Sequence, residues 1–220
     1  MNKRVKDNGL LLVNLVLFAI FLTGMTVTGW QVSNEEAFEH DGSMQSLGRY
    51  LLSGDFLEAL SENWESEFLQ MGAYVVMTVF LFQKGSSESK PVDKPAVQDE
   101  DPRRHSTDPH APWPVRHGGF ILVLYENSLM LLFVLLFVSS ILVHCVSGSI
   151  AYSKEQQLHG LPGVTPIEYV ATSQFWFESF QNWQSEFLVV AVLVLASTWL
   201  RQRGSAQSKP VAAAHDETLG

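Results

Sequence analysis

Two glutamates are placed where a side chain could do chemistry. Glu67 and Glu186 close matching stretches, Asn63-Trp64-Glu65-Ser66-Glu67 and Asn182-Trp183-Gln184-Ser185-Glu186, and each leads through Phe-Leu into a long apolar run. A carboxylate one turn below an interfacial tryptophan sits where a charge becomes costly, so it calls for a partner. Two such groups related by symmetry could couple, which would suit ion or proton passage. The structural alternative is a Glu favoured by the helix macrodipole near a helix start, with Ser66 or Ser185 as cap. Trp64 and Trp183 read as aromatic anchors at a membrane interface. Asn63 and Asn182 read as caps or as hydrogen-bonding groups between modules.

Other polar residues offer less. His40 and His159 occupy equivalent places, with Glu36 and Glu155 four residues before them, but no Cys or HExxH spacing supports a metal. A His in the last turn of a helix is accounted for by the macrodipole. Asn14 and His144 lie in apolar stretches, with apolar counterparts Phe133 and Met25, and call for hydrogen bonds to neighbouring helices. His105, His110 and His117 fall in a polar segment and read as solvated. There is no nucleophile elbow, P-loop or dinucleotide glycine pattern. The sequence therefore predicts no catalytic residue, no metal and no cofactor. Cys145 is the single cysteine, so no intrachain disulfide can form. A net charge of −9 without a basic stripe argues against nucleic acid as a partner.

The elements that must position these residues come in two copies. Residues 7–93 align with 126–212 without a gap, at a constant offset of 119. The hydrophobic residues, 46% of the chain, are segregated into Leu10–Trp30, Phe68–Phe82, Ser128–Val146 and Phe187–Leu200. The first and third are long enough for the roughly 20 residues of a spanning helix. The other two reach that length only if the Asn-Trp-x-Ser-Glu stretch extends each of them to about 19 residues. The basic start Met1–Lys6 followed by an apolar stretch resembles a signal peptide. The stretch is too long, no Ala-x-Ala site follows, and the same helix recurs internally, so a retained span is predicted.

Each first span should continue as a polar helix, stopping at Asp41-Gly42 and His159-Gly160. A short amphipathic helix follows, and Thr165, Pro166 and Glu168 write a capping box with the preferred proline. After a break at Ser53-Gly54 or Thr172-Ser173 comes a helix carrying Phe56, Leu57, Leu60 and Trp64, or Phe175, Trp176, Phe180 and Trp183, at helical spacing. Such a stripe before a span reads as a helix on the bilayer surface. Six prolines and many charges between 85 and 119 predict a disordered linker, and the tail from 205 to 220 is similar.

Of the fourteen Lys and Arg, only Arg49 and Lys154 fall in the two loops that follow the first and third blocks. The positive-inside rule therefore puts both termini and the linker in the cytoplasm. The fold predicted is an all-α membrane protein: four transmembrane helices as two parallel two-span repeats, with amphipathic helices on the outer face. Its parts are a first repeat over 1–84, a cytoplasmic linker over 85–119, a second repeat over 120–204 and a tail over 205–220.

The Gly-Trp helix exit, the Asn-Trp-x-Ser-Glu-Phe-Leu sequence and the Gln-Lys/Arg-Gly-Ser…Ser-Lys-Pro exit resemble a bacterial family of small integral membrane proteins catalogued as a domain of unknown function. The resemblance covers nearly the whole chain except linker and tail. It implies the bacterial cytoplasmic membrane and supplies no activity or catalytic residue. The copies differ at Gln83-Lys84 against Gln202-Arg203 and at Glu65 against Gln184. The function expected is structural or interaction type, without enzymatic activity; the alternative is a small ion- or proton-linked transporter or channel. Partners expected are the lipid bilayer and a second copy or another membrane protein.

Overall fold

The structure is a computed structural model that describes residues 7–39 and 43–218. It is all α-helical, with 70% of the chain in helix and no strand among the described residues. The long helices are α1 (Gly9–Glu39), α3 (Gly54–Phe80), α6 (Ser128–Leu158) and α8 (Ser173–Trp199). Short helices α2 (Leu47–Tyr50) and α7 (Pro166–Val170) precede α3 and α8, while α4 (Trp113–His117) and α5 (Gly119–Glu126) precede α6. Two 3-10 turns, Val97–Asp99 and Pro102–His105, lie between α3 and α4. α1 and α6 are each 31 residues long and apolar enough to cross a membrane. Each starts and ends at the same repeat position, as do the 27-residue α3 and α8.

The chain divides into two compact units. The first comprises residues 1–60 and 143–171. Its loops are fastened in the same way in both copies. Asn34 on α1 holds Gln45 by both backbone groups: the Gln45 N–H donates to Asn34 Oδ1 at 2.7 Å, and Asn34 Nδ2 donates to the Gln45 carbonyl at 3.2 Å. Trp30 Nε1 donates to that carbonyl too, at 2.7 Å. In the second copy the Val164 N–H donates to Ser153 Oγ at 2.8 Å, and the same hydroxyl donates to the Val164 carbonyl at 3.1 Å. A non-helical loop thus finds its hydrogen bonds on the exposed end of the long helix beside it.

The helix ends follow their local codes. Thr165 and Glu168 form the capping box, with Pro166 in the first turn. Thr172 Oγ1 accepts from the Phe175 N–H and Ser53 Oγ from the Phe56 N–H, so α8 and α3 start where a hydroxyl caps them. α6 stops at Gly160, whose φ is +73, with the Leu161 N–H on the Gln156 carbonyl and the Gly160 N–H on that of Gln157. That pair of bonds is a Schellman ending, which needs a glycine in the left-handed region. The corresponding stop at Asp41-Gly42, with His40, lies outside the described residues, as does Met1–Lys6.

Each copy also seats a tyrosine against a helical glycine. A Cβ at Gly29 would strike the Tyr50 hydroxyl, and one at Gly148 would lie 2.5–2.7 Å from the ring edge and hydroxyl of Tyr169. Both tyrosines are buried, and burial together with the Asp55 and Glu36 carboxylates pushes the Tyr50 phenol above its ordinary range. Glycine at these positions is what lets α1 and α6 approach a six-membered ring.

The second unit comprises residues 61–142 and 172–220. It too repeats a local device after each long helix. The Gln83 N–H donates to Ser89 Oγ at 2.9 Å and the Gln202 N–H to Ser208 Oγ at 2.8 Å, around Gly85 and Gly204 with φ of +85 and +84. Lys209 is buried and donates to the carbonyls of Ala214, His215 and Glu217. Between the repeats, Ala96 and Val115 are buried.

Many of the buried residues throughout are small or polar, including Ser61, Glu65, Ser66, Gln70, Ser140, His144, Ser147 and Ser179. Large aliphatic and aromatic side chains are outside, among them Leu10 at 83% exposure and Phe21 at 69%. This distribution reverses that of a water-soluble helical domain, where such residues dominate the core.

Gly148→Ala tests the glycine–tyrosine contact. Alanine gains about 1 kcal/mol in helix propensity, but an added methyl against a fully buried ring costs about 1–3 kcal/mol. Because Tyr169 cannot swing away, we expect a lower thermal midpoint in detergent. Gly29→Ala should lose less, and Tyr50→Phe should recover part of that loss.

Candidate functional site

The duplicated Asn-Trp-x-Ser-Glu stretches lie in the middle of α3 and α8, well after their starts at Gly54 and Ser173. Their serines do not cap. Ser66 Oγ donates to the Asn63 carbonyl and Ser185 Oγ to that of Asn182, both at 2.8 Å, within an unbroken helix. The macrodipole field fades within the first turn. It does not reach Glu67 or Glu186, which corrects the expectation that they anchor a helix start. Glu67 is exposed and Glu186 half-buried, and the two are close enough within the second unit for their charges to repel.

The carboxylate that is buried is Glu65. It is fully enclosed, and Trp183 Nε1 donates to its Oε1 at 3.0 Å. The other tryptophan of the pair, Trp64, is 38% exposed and tilts against Phe68 with ring centres 6.4 Å apart. Symmetric positions therefore play different parts: one indole closes on a buried carboxylate and the other lies at the surface. Asn63 is exposed, and Asn182 Nδ2 donates to the Glu178 carbonyl one turn back.

Trp183 is set in place by a ladder of rings along α8. Phe175 meets Trp176 at 5.2 Å, Trp176 meets Phe180 at 5.5 Å, and Phe180 meets Trp183 edge-on at 5.6 Å. Such pairs favour edge-on and offset contacts and restrict the indole's orientation. The Phe-Trp-x-x-x-Phe-x-x-Trp spacing predicted this stripe; the structure adds that it ends on Glu65. On α3 the buried face around that residue is Ser61, Glu65, Ser66 and Gln70, all polar. A buried carboxylate needs such hydrogen-bond donors, and the indole N–H supplies one.

The remaining candidates are dispersed. Asn14 is satisfied within its own helix, donating to the Leu10 carbonyl at 2.8 Å, rather than by a neighbouring helix. His159 and Glu155 are exposed. His105, His110 and His117 are exposed too, His105 within 3.3 Å of Glu100 and His117 beside the Trp113 ring. His144, by contrast, is fully buried. Glu65 was missed from the sequence because its counterpart, Gln184, made it look like a variable position. Helical spacing from Ser61 to Glu65 was the one available signal.

A family described as "Domain of unknown function (DUF6766)" matches residues 1–220. No curated protein and no solved structure matches the chain.

The unequal roles of the two tryptophans are testable. Trp183→Phe removes a hydrogen bond to a buried carboxylate, an interaction worth about 1.5–3 kcal/mol. Trp64→Phe trims a partly exposed ring. The first should lower thermal stability clearly more than the second, and equal effects would contradict the asymmetry.

Proposed function

We propose a non-enzymatic, membrane-integral role of structural or interaction type for this chain, which belongs to the DUF6766 family. The observation that carries the reading is the exposure of large apolar side chains along helices long enough to cross a bilayer. Water does not tolerate such a surface on a soluble protein, and lipid covers it without cost. On this reading α1 and α6 span the membrane, and the second halves of α3 and α8 complete four spans. Outward aliphatic residues on α8, such as Leu188, Val189, Val192 and Leu195, support that assignment.

The two two-span halves, 1–84 and 120–204, are then parallel repeats with a shared orientation. Their equal helix lengths and matching loop fastenings support this arrangement. The asymmetry of Lys and Arg supports a topology with both termini and the segment 85–119 in the cytoplasm of a bacterial cell and the α2 and α7 caps facing outward. Partners on this reading are the bilayer and a second copy or another membrane protein.

A cytoplasm-active reporter fused at residue 100 or at the C-terminus should give signal, and one fused near Gly42 or Gly160 should not. Activity at Gly42 or Gly160 would overturn the four-span arrangement.

A second reading, passage of an ion or proton, is favoured by the proximity of Glu67 and Glu186. Glu67→Gln and Glu186→Gln separate the two. A pair acting together gives a double variant whose thermal stability departs from the sum of the singles by about 0.5 kcal/mol or more. Independent surface carboxylates add within about 0.3–0.5 kcal/mol, and that result would leave the structural role alone.

A further inference from the structure

In the first unit, three polar groups from three helices meet, two of them fully buried and the third, Glu58, half-buried. His144 on α6 and Tyr169 on α7 have no exposed surface, and their rings meet edge-on with centres 6.2 Å apart. The Tyr169 hydroxyl donates to Glu58 Oε1 on α3 at 3.1 Å. A ring nitrogen of His144 and a carboxylate oxygen of Glu58 lie within 4.8 Å of each other. Tyr152 also packs against Tyr169, with ring centres 5.7 Å apart. The Tyr169 ring also rests on Gly148, one turn along α6 from His144, so little freedom remains to it.

We propose that His144 and Glu58 are two of the protein ligands of a divalent transition-metal ion of the zinc class, with the Tyr169 hydroxyl holding the Glu58 carboxylate in place. Imidazole nitrogen with carboxylate oxygen is a donor set that suits zinc and its neighbours, whereas magnesium and calcium take oxygen alone. Ligand atoms about 2.0–2.2 Å from one ion stand about 3.3 Å apart. A hydrogen bond from a phenol to a ligating carboxylate is the usual outer support of such a site.

The duplication provides the contrast. Where one copy has Glu58, the other has Phe177; where one has His144, the other has Met25. Tyrosine stands at the third position in both, as Tyr169 and Tyr50. The tyrosine therefore belongs to the scaffold, packed on its glycine, and the two ligating groups are additions at positions where apolar residues serve the other copy. The imidazole is fully buried beside a half-buried carboxylate, a placement that suits a shared cation.

The test uses the full chain in nanodiscs, stripped with a chelator and titrated with zinc(II) against a competing chromophoric chelator. One zinc per chain should bind. Glu58→Gln and His144→Met should each weaken binding at least tenfold, and the second keeps a residue that the other copy already carries. Tyr169→Phe should weaken it about 10–100-fold, while His159→Ala, at an exposed histidine, should change nothing. X-ray absorption at the zinc edge of the wild-type protein gives a readout independent of variants and should contain imidazole scattering. Absence of stoichiometric zinc, unchanged binding in both ligand variants, or an oxygen-only absorption spectrum would each overturn the site.

Discussion

A long apolar helix whose outer face meets nothing of its own chain cannot be held by the hydrophobic effect. It must be held by close backbone approach and by hydrogen bonds, and this constraint governs the rest of the molecule. Gly29 and Gly148 let a tyrosine ring reach the helix, serines line the buried faces, and Asn34 and Ser153 hold the adjoining loops. Interfaces of small residues with polar links are what remains when apolar burial no longer discriminates inside from outside.

The same constraint explains what the sequence made legible. Caps and stops are local codes, so Thr165-Pro166-x-Glu168 and His159-Gly160 could be read directly, as could the long apolar runs of α1 and α6. The position of Glu67 and Glu186 relative to a helix start was misread, because the Asn-Trp-x-Ser-Glu stretch looks like a cap. It lies inside a helix that Ser53 or Thr172 had already opened. Glu65 and the cluster around His144 were not legible. Each depends on partners more than a hundred positions away, Trp183 for Glu65 and Glu58 for Tyr169. No periodicity records such a meeting.

Duplication gives a chain two equivalent scaffolds and leaves it free to treat them differently. Here the packing devices are kept in both copies, as are Glu67 and Glu186, but Glu65, His144 and Glu58 are not. Glu65 faces Trp183 while Gln184 is exposed, and His144 and Glu58 answer to Met25 and Phe177. What is shared builds the frame; what differs is where chemistry would reside.

The loop fastenings bear on the order in which the protein assembles. Asn34 and Gln45 are 11 residues apart, and so are Ser153 and Val164. Tyr169 must wait for a partner 111 residues distant, and Trp183 for one 118 residues distant. Closing a short loop is fast and long-range closure is slow. Each hairpin can thus set its own bend during synthesis, before the other copy exists. The bonds to Glu58 and Glu65 then close last, as latches on a frame already standing.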